Sequence, residues 1–301
     1  MLVPIVLCVA FIAAKCNENL YTPQVEAEQG NQNSNSTQIR YSTRLEIPKL
    51  KEGANLFLVK KVPTFGVNYC AEYNTIKRSA RWIAYRWDIN NATDNEVGRN
   101  EKWAEDEDIP EECRVKLSDH TYDDYDRGHM LASEDRQNSK EANRQTFLMT
   151  NILPQYNKFN GTSAKRSYVW VNLEKRVREF YENWTPTQNA QDTIYAVKGG
   201  TIDHEHQILE VTAKGLVVPK YFYMAFLYKS DTPLPHGYKA MAFWVEHTNG
   251  TDTTKGNELK KYIVSIDQLE EYTGIDFFCN LPDDIENEVE AITDPNAWGF
   301  K

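Results

Sequence analysis

The chain has 301 residues, of which 41% are hydrophobic and 12% aromatic. This composition excludes an intrinsically disordered protein and is ample for one buried core. The formal net charge of -10 at pH 7 weighs against a uniformly basic surface of the kind that binds polyanions along its whole length.

The N-terminal residues predict a targeting leader. Leu2 to Ala14 form an apolar run that is too short to span a bilayer. Residues 1–16 therefore predict a signal peptide or a lipoprotein leader, with Cys16 as the candidate site of a lipid anchor. Residues 17–40 are largely polar, which favours a flexible tether. We expect an exported protein, secreted, periplasmic or lipid-anchored, whose folded domain occupies residues 41–301.

Short apolar runs between turn residues predict the strands of the domain, at residues 56–62, 82–87, 146–153, 194–197 and 221–228. Helices are predicted near residues 139–144 and 166–184. In the second helix, apolar side chains recur at spacings of three and four and form one stripe: Val169, Leu173, Val177, Phe180 and Trp184. These elements predict an α+β protein in which helices pack on a mixed sheet.

Residues 125–178 carry the most informative motifs. They contain, in order, Asp126-Arg127-Gly128-His129, Thr150-Asn151-Ile152-Leu153-Pro154-Gln155, Asn160, and a helix with Trp170, Leu173, Glu174 and Arg178. Hydrolysis of a phosphodiester at neutral pH needs a base, a divalent cation and positive side chains that stabilise the transition state. One histidine, several oxygen donors and flanking arginines supply that set, which predicts a metal-dependent phosphodiesterase site.

This ordered combination resembles the DNA/RNA non-specific endonuclease family of ββα-metal (His-Me finger) enzymes, which includes endonuclease G and secreted bacterial nucleases. The resemblance implies a ββα-metal core, DNA and RNA as substrates, and Mg²⁺ as cofactor, with Mn²⁺ or another divalent cation as the alternative. Residues 263–267 and 273–278 are also similar to the closing strand and short helix of the family.

The resemblance further implies the roles of three residues. His129 is expected to be the general base, because a neutral imidazole with a pKa of about 6.5 can take a proton from water. Asn160 is expected to bind the metal directly, and Glu174 to reach it through water. Magnesium suits such oxygen donors.

The spacing between Asn160 and Glu174 departs from the family pattern, in which about eight positions separate the two. Here they are fourteen positions apart, which in a continuous helix would span about 21 Å, too far for one metal. Because Gly161-Thr162-Ser163 are poor helix formers, we expect a loop insertion that returns Asn160 to the helix. Asn157 is the alternative ligand.

Four other motif residues also acquire expected roles from the resemblance. Arg127 and Arg178 would grip phosphate oxygens. Asp126 and Asn151 would orient their neighbours.

An upstream basic residue of the family precedes a W-V-x-Y strand and helps to stabilise the transition state. Its expected counterpart is Arg78, with Lys77 and Arg81 as alternatives, because the distance to Trp82 does not decide among them.

Basic residues concentrate around the proposed site despite the negative total. They are Arg127, Arg136, Arg144, Lys158, Lys165, Arg166, Lys175, Arg176 and Arg178. Residues 101–112 and 283–294 are acidic and are expected to be solvated faces. A basic cleft on an acidic protein can bind nucleic acid and still release product.

Two questions stay open at this point. Export makes one disulfide plausible, with Cys70 and Cys113 as the pair considered, against buried free thiols. The competing function is a catalytically impaired relative that binds nucleic acid or another partner.

Overall fold

The computed structural model describes residues 31–91, 97–120, 124–163, 166–184, 192–230, 234 and 237–301. The strands are β1 (Asn55–Val62), β2 (Gly66–Asn74), β3 (Ser79–Trp87), β4 (Tyr125–His129), β5 (Ile152–Tyr156), β6 (Thr162–Ser163), β7 (Arg166–Ser167), β8 (Thr193–Gly200), β9 (Ile208–Val211), β10 (Val217–Pro219), β11 (Tyr221–Lys229), β12 (Tyr238–Glu246) and β13 (Ile263–Val264). The α-helices are α1 (Lys140–Thr146), α2 (Asn157–Asn160), α3 (Val169–Trp184), α4 (Ile266–Thr273) and α5 (Asp283–Ala291).

Seven of these strands form the main sheet, in the order β1-β2-β3-β8-β11-β12-β13. Each neighbouring pair in it is antiparallel. Hairpins β4–β5, β6–β7 and β9–β10 lie outside this sheet. Helices packed on a sheet confirm the predicted α+β class.

Both faces of the sheet are covered. Alternation along β3 sends Ile83 and Tyr85 to one face, called here the front face, and Trp82 and Ala84 to the other, the rear face. The front face packs against α3 and the β4–β5 hairpin, and the rear face packs against α4 and α5. The central strands β8 and β11 are therefore buried along almost their whole length.

Helix α3 confirms most of its predicted stripe. Val169, Leu173, Val177 and Phe180 are all buried in the front core, whereas the side chain of Trp184 lies outside the described ones. The helix begins at Val169, three residues later than predicted, because the preceding residues form β7.

The strand predicted at residues 146–153 is wrong in its first half. Ser139 caps α1, which extends to Thr146, and a 3₁₀ turn over Met149–Asn151 follows before β5 begins at Ile152. The apolar residues of this connection are buried, and a short buried run looks the same in sequence whether or not it is a strand.

The closing elements also differ from expectation. Strand β13 ends at Val264, because Ser265 caps α4 by accepting a hydrogen bond from the Gln268 amide. Helix α4 ends at Thr273, and Gly274 adopts a left-handed conformation with a φ of 66°. The short helix therefore precedes residues 273–278 instead of lying within them.

Part of the expected tether is anchored. The Asn31 side chain donates to the Cys279 carbonyl at 2.9 Å, and the buried Asn35 amide donates to the carbonyls of Ser42 and Pro48 at 3.1 and 3.0 Å. The prediction of a flexible tether is therefore wrong for residues 31–40. The predicted leader, residues 1–16, lies outside the described residues. No described helix has the length and apolar character needed to cross a bilayer.

Cys70, Cys113 and Cys279 are buried free thiols. The considered pairing of Cys70 with Cys113 is therefore wrong. Burial raises the pKa of each of these thiols, so they remain protonated at neutral pH.

Candidate active site

The β4–β5 hairpin presents the first motif. Its register pairs Arg127 with Pro154 and His129 with Ile152. Because successive side chains of a strand point to opposite sides, Arg127 and His129 share one side. Both line a cavity of about 380 Å³ in front of α3. Arg127 and His129 therefore reach the same site.

Asn151 locks the chain that follows His129. It is fully buried, its Oδ1 accepts from the Leu131 amide at 2.8 Å, and its Nδ2 donates to the carbonyls of Leu131 and Thr146 at 2.9 and 2.7 Å. These bonds join the end of β4 to the start of β5. Asn151 therefore acts on the site by holding the backbone beside His129.

The His129 imidazole lies between two aromatic rings. Its centroid is 5.1 Å from Trp103 and 5.0 Å from Phe147. Burial, followed by the charges of Arg99 and Lys198, lowers the pKa of His129 to about 3. Its Nε2 is buried and has no hydrogen-bond partner among the described residues. The ring is therefore neutral at physiological pH, and in the tautomer protonated at Nδ1 its Nε2 has the lone pair that a base needs.

Asp126 connects the hairpin to Asn160. Its Oδ1 accepts from the Asn157 side chain at 2.8 Å, and the Asn160 amide acts on the same carboxylate. Burial raises the pKa of Asp126, while the two amides oppose that shift. Since a carboxylate attracts amide hydrogens, Nδ2 of Asn160 faces Asp126 and its Oδ1 remains available to the cavity, which Asn160 lines.

The expected insertion after Asn160 is the hairpin β6–β7. The Tyr168 amide donates to the Gly161 carbonyl at 3.1 Å and closes the hairpin at its base. Fourteen positions less the six residues 162–167 leave the eight expected between Asn160 and Glu174. Both residues line the same cavity.

Glu174 pairs with the buried Lys198, whose role no sequence motif indicates. Lys198 of β8 points to the front face, and its Nζ lies 3.3 Å from Glu174 Oε1 and 3.8 Å from Asp135 Oδ2. Burial raises the pKa of Glu174, and Lys198 opposes that shift. Lys198 therefore favours the ionised carboxylate at the cavity floor.

Arg178 is engaged differently from its expected role. Its guanidinium pairs with Asp135 and, at 2.7 Å, with Glu134. Burial opposes its charge, but Asp135, Glu174 and Glu134 together raise its pKa above the ordinary value. Arg178 is not among the described residues that line the cavity and instead supports Glu134 and Asp135. Its contact with phosphate stays a prediction.

The three upstream candidates are also paired away from the cavity. Arg78, at a φ of 51°, binds Asp119 and the carbonyls of Arg114 and Lys214. Lys77 pairs with Glu205, and the buried Arg81 pairs with Glu72 and Asp203. These contacts hold loops together, and none of the three residues is among the described ones that line the cavity. The action of Arg78 on the reacting phosphate stays a prediction.

Arg99 is an arginine at the cavity that the sequence did not indicate. It is exposed, lines the cavity, and its guanidinium lies 5.0 Å from the centre of the Phe147 ring, next to His129. Its loop has no strand or helix pattern, so no sequence signal placed it at the site. Arg99, Arg127 and Lys175 are the described cationic residues that line the cavity.

Several residues of the predicted basic cluster have partners elsewhere in the fold. Arg136 is completely buried and binds Asn68, Arg144 pairs with Glu141, and Arg176 donates to the Gly299 carbonyl. Of the predicted cluster, Arg127 and Lys175 line the cavity.

The β4–β5 hairpin and α3 define a ββα-metal nuclease fold. His129 and Asn160 lie between these two elements. The same fold is found in the crystal structure of the EndoG/EndoGI complex, with a TM-score of 0.59 and 20% identity, over 76% of this chain and 89% of that chain.

The chain belongs to the DNA/RNA non-specific endonuclease family, whose model matches residues 51–284. A nuclease of Nostoc sp. is 30% identical over 229 residues, or 75% of this chain and 76% of that protein. A mitochondrial nuclease of Saccharomyces cerevisiae is 29% identical over 196 residues, or 64% of this chain and 57% of that protein. The protein is therefore a hydrolytic nuclease.

Proposed function

We propose that this nuclease is a metal-dependent endonuclease that hydrolyses DNA and RNA with little sequence preference. One observation carries the proposal: a neutral His129, whose Nε2 has no partner within the described part of the chain, shares a cavity with Asn160, Glu174 and three cationic side chains. Cationic groups bind phosphates, which DNA and RNA have in common, and phosphate contacts carry no direct sequence information.

The oxygen donors of the cavity fit a hard divalent cation such as Mg²⁺ or Mn²⁺. Asn160 Oδ1 would hold it directly and the Glu174 carboxylate through water, since magnesium keeps several waters when it binds protein. When bound, the cation supplies positive charge beside the scissile phosphate. Lys198 opposes the burial that raises the pKa of Glu174 and so favours the ionised carboxylate for this role.

The remaining steps belong to the side chains. His129 Nε2 accepts a proton from the attacking water. The resulting hydroxide adds to phosphorus as the bond to the leaving oxygen breaks. Arg127 and Arg99 bind the non-bridging oxygens, whose negative charge grows in the transition state. Asn151 and Asp126 keep His129 and Asn160 in place.

The experiment is cleavage of supercoiled plasmid and of RNA by the purified chain, with Mg²⁺ or with EDTA. We expect cutting in Mg²⁺, none in EDTA, and a loss of at least about 100-fold in His129→Ala, the usual scale of a lost general base. His204→Ala is the matched control, since His204 is exposed and is not among the described residues that line the cavity. Binding without cleavage in every divalent ion would instead support the catalytically impaired relative.

We also propose that the protein is exported, supported by the apolar leader at residues 2–14. The test is the cellular fraction that contains the full chain, beside a variant without residues 1–16. Attachment of a labelled fatty acid that is lost in Cys16→Ser would identify the anchored form. Retention of both chains in the cytosol would contradict export.

A further inference from the structure

A second group of carboxylates lies on the rear side of the sheet, where α4 meets α5. Asp267 and Glu270 are one turn apart on α4, and Glu290 lies in the last turn of α5. One oxygen from each residue lies within 4.8 Å of the other two. Asp267 is exposed, Glu270 is half-buried, and Glu290 is only 4% exposed.

Glu290 is the unusual member of the group. Its Oε1 is buried and has no hydrogen-bond partner among the described residues. A buried carboxylate oxygen without a partner is costly, and such atoms are rare in folded proteins. Glu290 also lies near the negative end of the α5 dipole, which further disfavours its charge. A positive partner would therefore stabilise the ionised Glu290 carboxylate.

The neighbouring charges do not supply one. Burial, and then Glu270, Glu286, Asp276 and Asp267, raise the pKa of Glu290 to about 11. Asp276 and Glu286 each accept hydrogen bonds from the Asn33 amide, which satisfies those two carboxylates in part.

The Lys49 ammonium group faces this region from the N-terminal segment. Its Nζ donates to the carbonyls of Asn33 and Ser34, and its charge acts on Asp276. Asp267, Glu270 and Glu290 thus have no ion pair among the described residues.

We propose that Asp267, Glu270 and Glu290 bind a divalent cation of the Ca²⁺ class, at a site separate from the nuclease cavity. Calcium binds six to eight oxygens at about 2.3–2.6 Å, so oxygens on opposite sides of it are roughly 4.6–5.2 Å apart, which suits this cluster. Magnesium requires closer, octahedral oxygens. The exposed side, at Asp267, admits the waters that complete the shell, and the ion joins α4 to α5.

The test is calcium binding by the chelator-treated full chain, measured by isothermal titration calorimetry and by the shift in melting temperature, Tm. We expect wild type to gain roughly 5 °C or more when Ca²⁺ exceeds its Kd a hundredfold. Glu290→Gln should lose that gain and one equivalent of binding. Glu271→Gln, an exposed change of the same charge on α4, should behave as wild type.

Further variants separate this site from the cavity. Asp267→Asn alters an exposed side chain, so its loss of the Ca²⁺ response supports the site even if Glu290→Gln fails to fold. Asn160→Ala should keep the response, and Asp267→Asn should keep nuclease activity in Mg²⁺. A wild type without a Ca²⁺ response, or an Asp267→Asn variant with an undiminished one, overturns the proposal.

Discussion

Lys198 Nζ lies 3.3 Å from Glu174 Oε1, beneath the floor of the nuclease cavity. The lysine side chain is 1% exposed and the glutamate side chain 10%. An isolated carboxyl group at this depth would favour its protonated form, because burial opposes charge. The active carboxylate of α3 therefore depends on a cation supplied by the central strand of the sheet.

Replacing Lys198 with methionine tests this dependence. The pKa of Glu174 should rise further, so kcat/KM at pH 7 should fall about tenfold or more and recover in part as the pH is raised to 9. The free energy of unfolding should fall by about 3 kcal/mol, since one buried partner is lost. Activity against pH and urea unfolding measure the two effects. The double variant Lys198→Met/Glu174→Gln should regain stability without activity; continued instability would argue against the pair.

Arg99 should have the catalytic role that the sequence predicted for Arg78, and Arg78 should have a structural one. Arg99→Ala should lower kcat/KM by about 100-fold, the scale of one lost transition-state contact, with little change in unfolding free energy. Arg78→Ala should keep its activity and lose about 1–2 kcal/mol of stability, because Arg78 holds Asp119 and two carbonyls. A reversed pattern would return Arg78 to the reacting phosphate.

Gly128 is required by the side chain across the hairpin. A Cβ at this position would overlap the buried Gln155 side chain. Gly128→Ala should therefore cost about 2 kcal/mol of stability and reduce activity by moving His129. Gln155→Ala removes the obstacle, so the double variant should lose less stability than the two single losses combined. Strict additivity in urea unfolding would exclude this contact as the cause.

His247 makes stability depend on pH. Its Nε2 accepts from the Tyr156 amide at 2.8 Å, its Nδ1 contacts the Pro219 carbonyl at 2.9 Å, and burial lowers its pKa to about 4. The unfolded chain, with a pKa of about 6.5, binds this proton first as the pH falls. The stabilisation is therefore complete above pH 6.5 and declines by about 3 kcal/mol towards pH 4.

The measurement for His247 is the free energy of unfolding between pH 4 and pH 7, beside His247→Gln. Wild type should lose stability relative to the variant as the pH falls. A constant difference between the two proteins over this range would contradict the assignment.

The parts of the site that the sequence predicts are those joined by short-range geometry. Arg127 and His129 are two positions apart in a strand, so alternation alone places them on one side. The stripe of α3 likewise follows from helical spacing. For Asn160, the poor helix formers after it indicate an interruption, and the interruption is a closed hairpin.

The rest depends on long-range contacts that local patterns do not contain. Lys198 interrupts an apolar strand visibly, but its partner on α3 follows only from the sheet order and the covering helix. Arg99 reaches the cavity from a loop without regular structure. Conversely, Arg178 lies one turn after Glu174, yet Glu134 and Asp135 of a separate loop engage it. A sequence shows which residues are charged, but the fold decides which of those charges are paired with other residues.

The bond between the Tyr168 amide and the Gly161 carbonyl gives the β6–β7 hairpin a fixed base. Because this bond closes the hairpin at its base, a longer connection between β6 and β7 should leave the relation of Asn160 to Glu174 unchanged. A fluorescent reporter or a small targeting module could therefore be inserted into this hairpin without loss of nuclease activity.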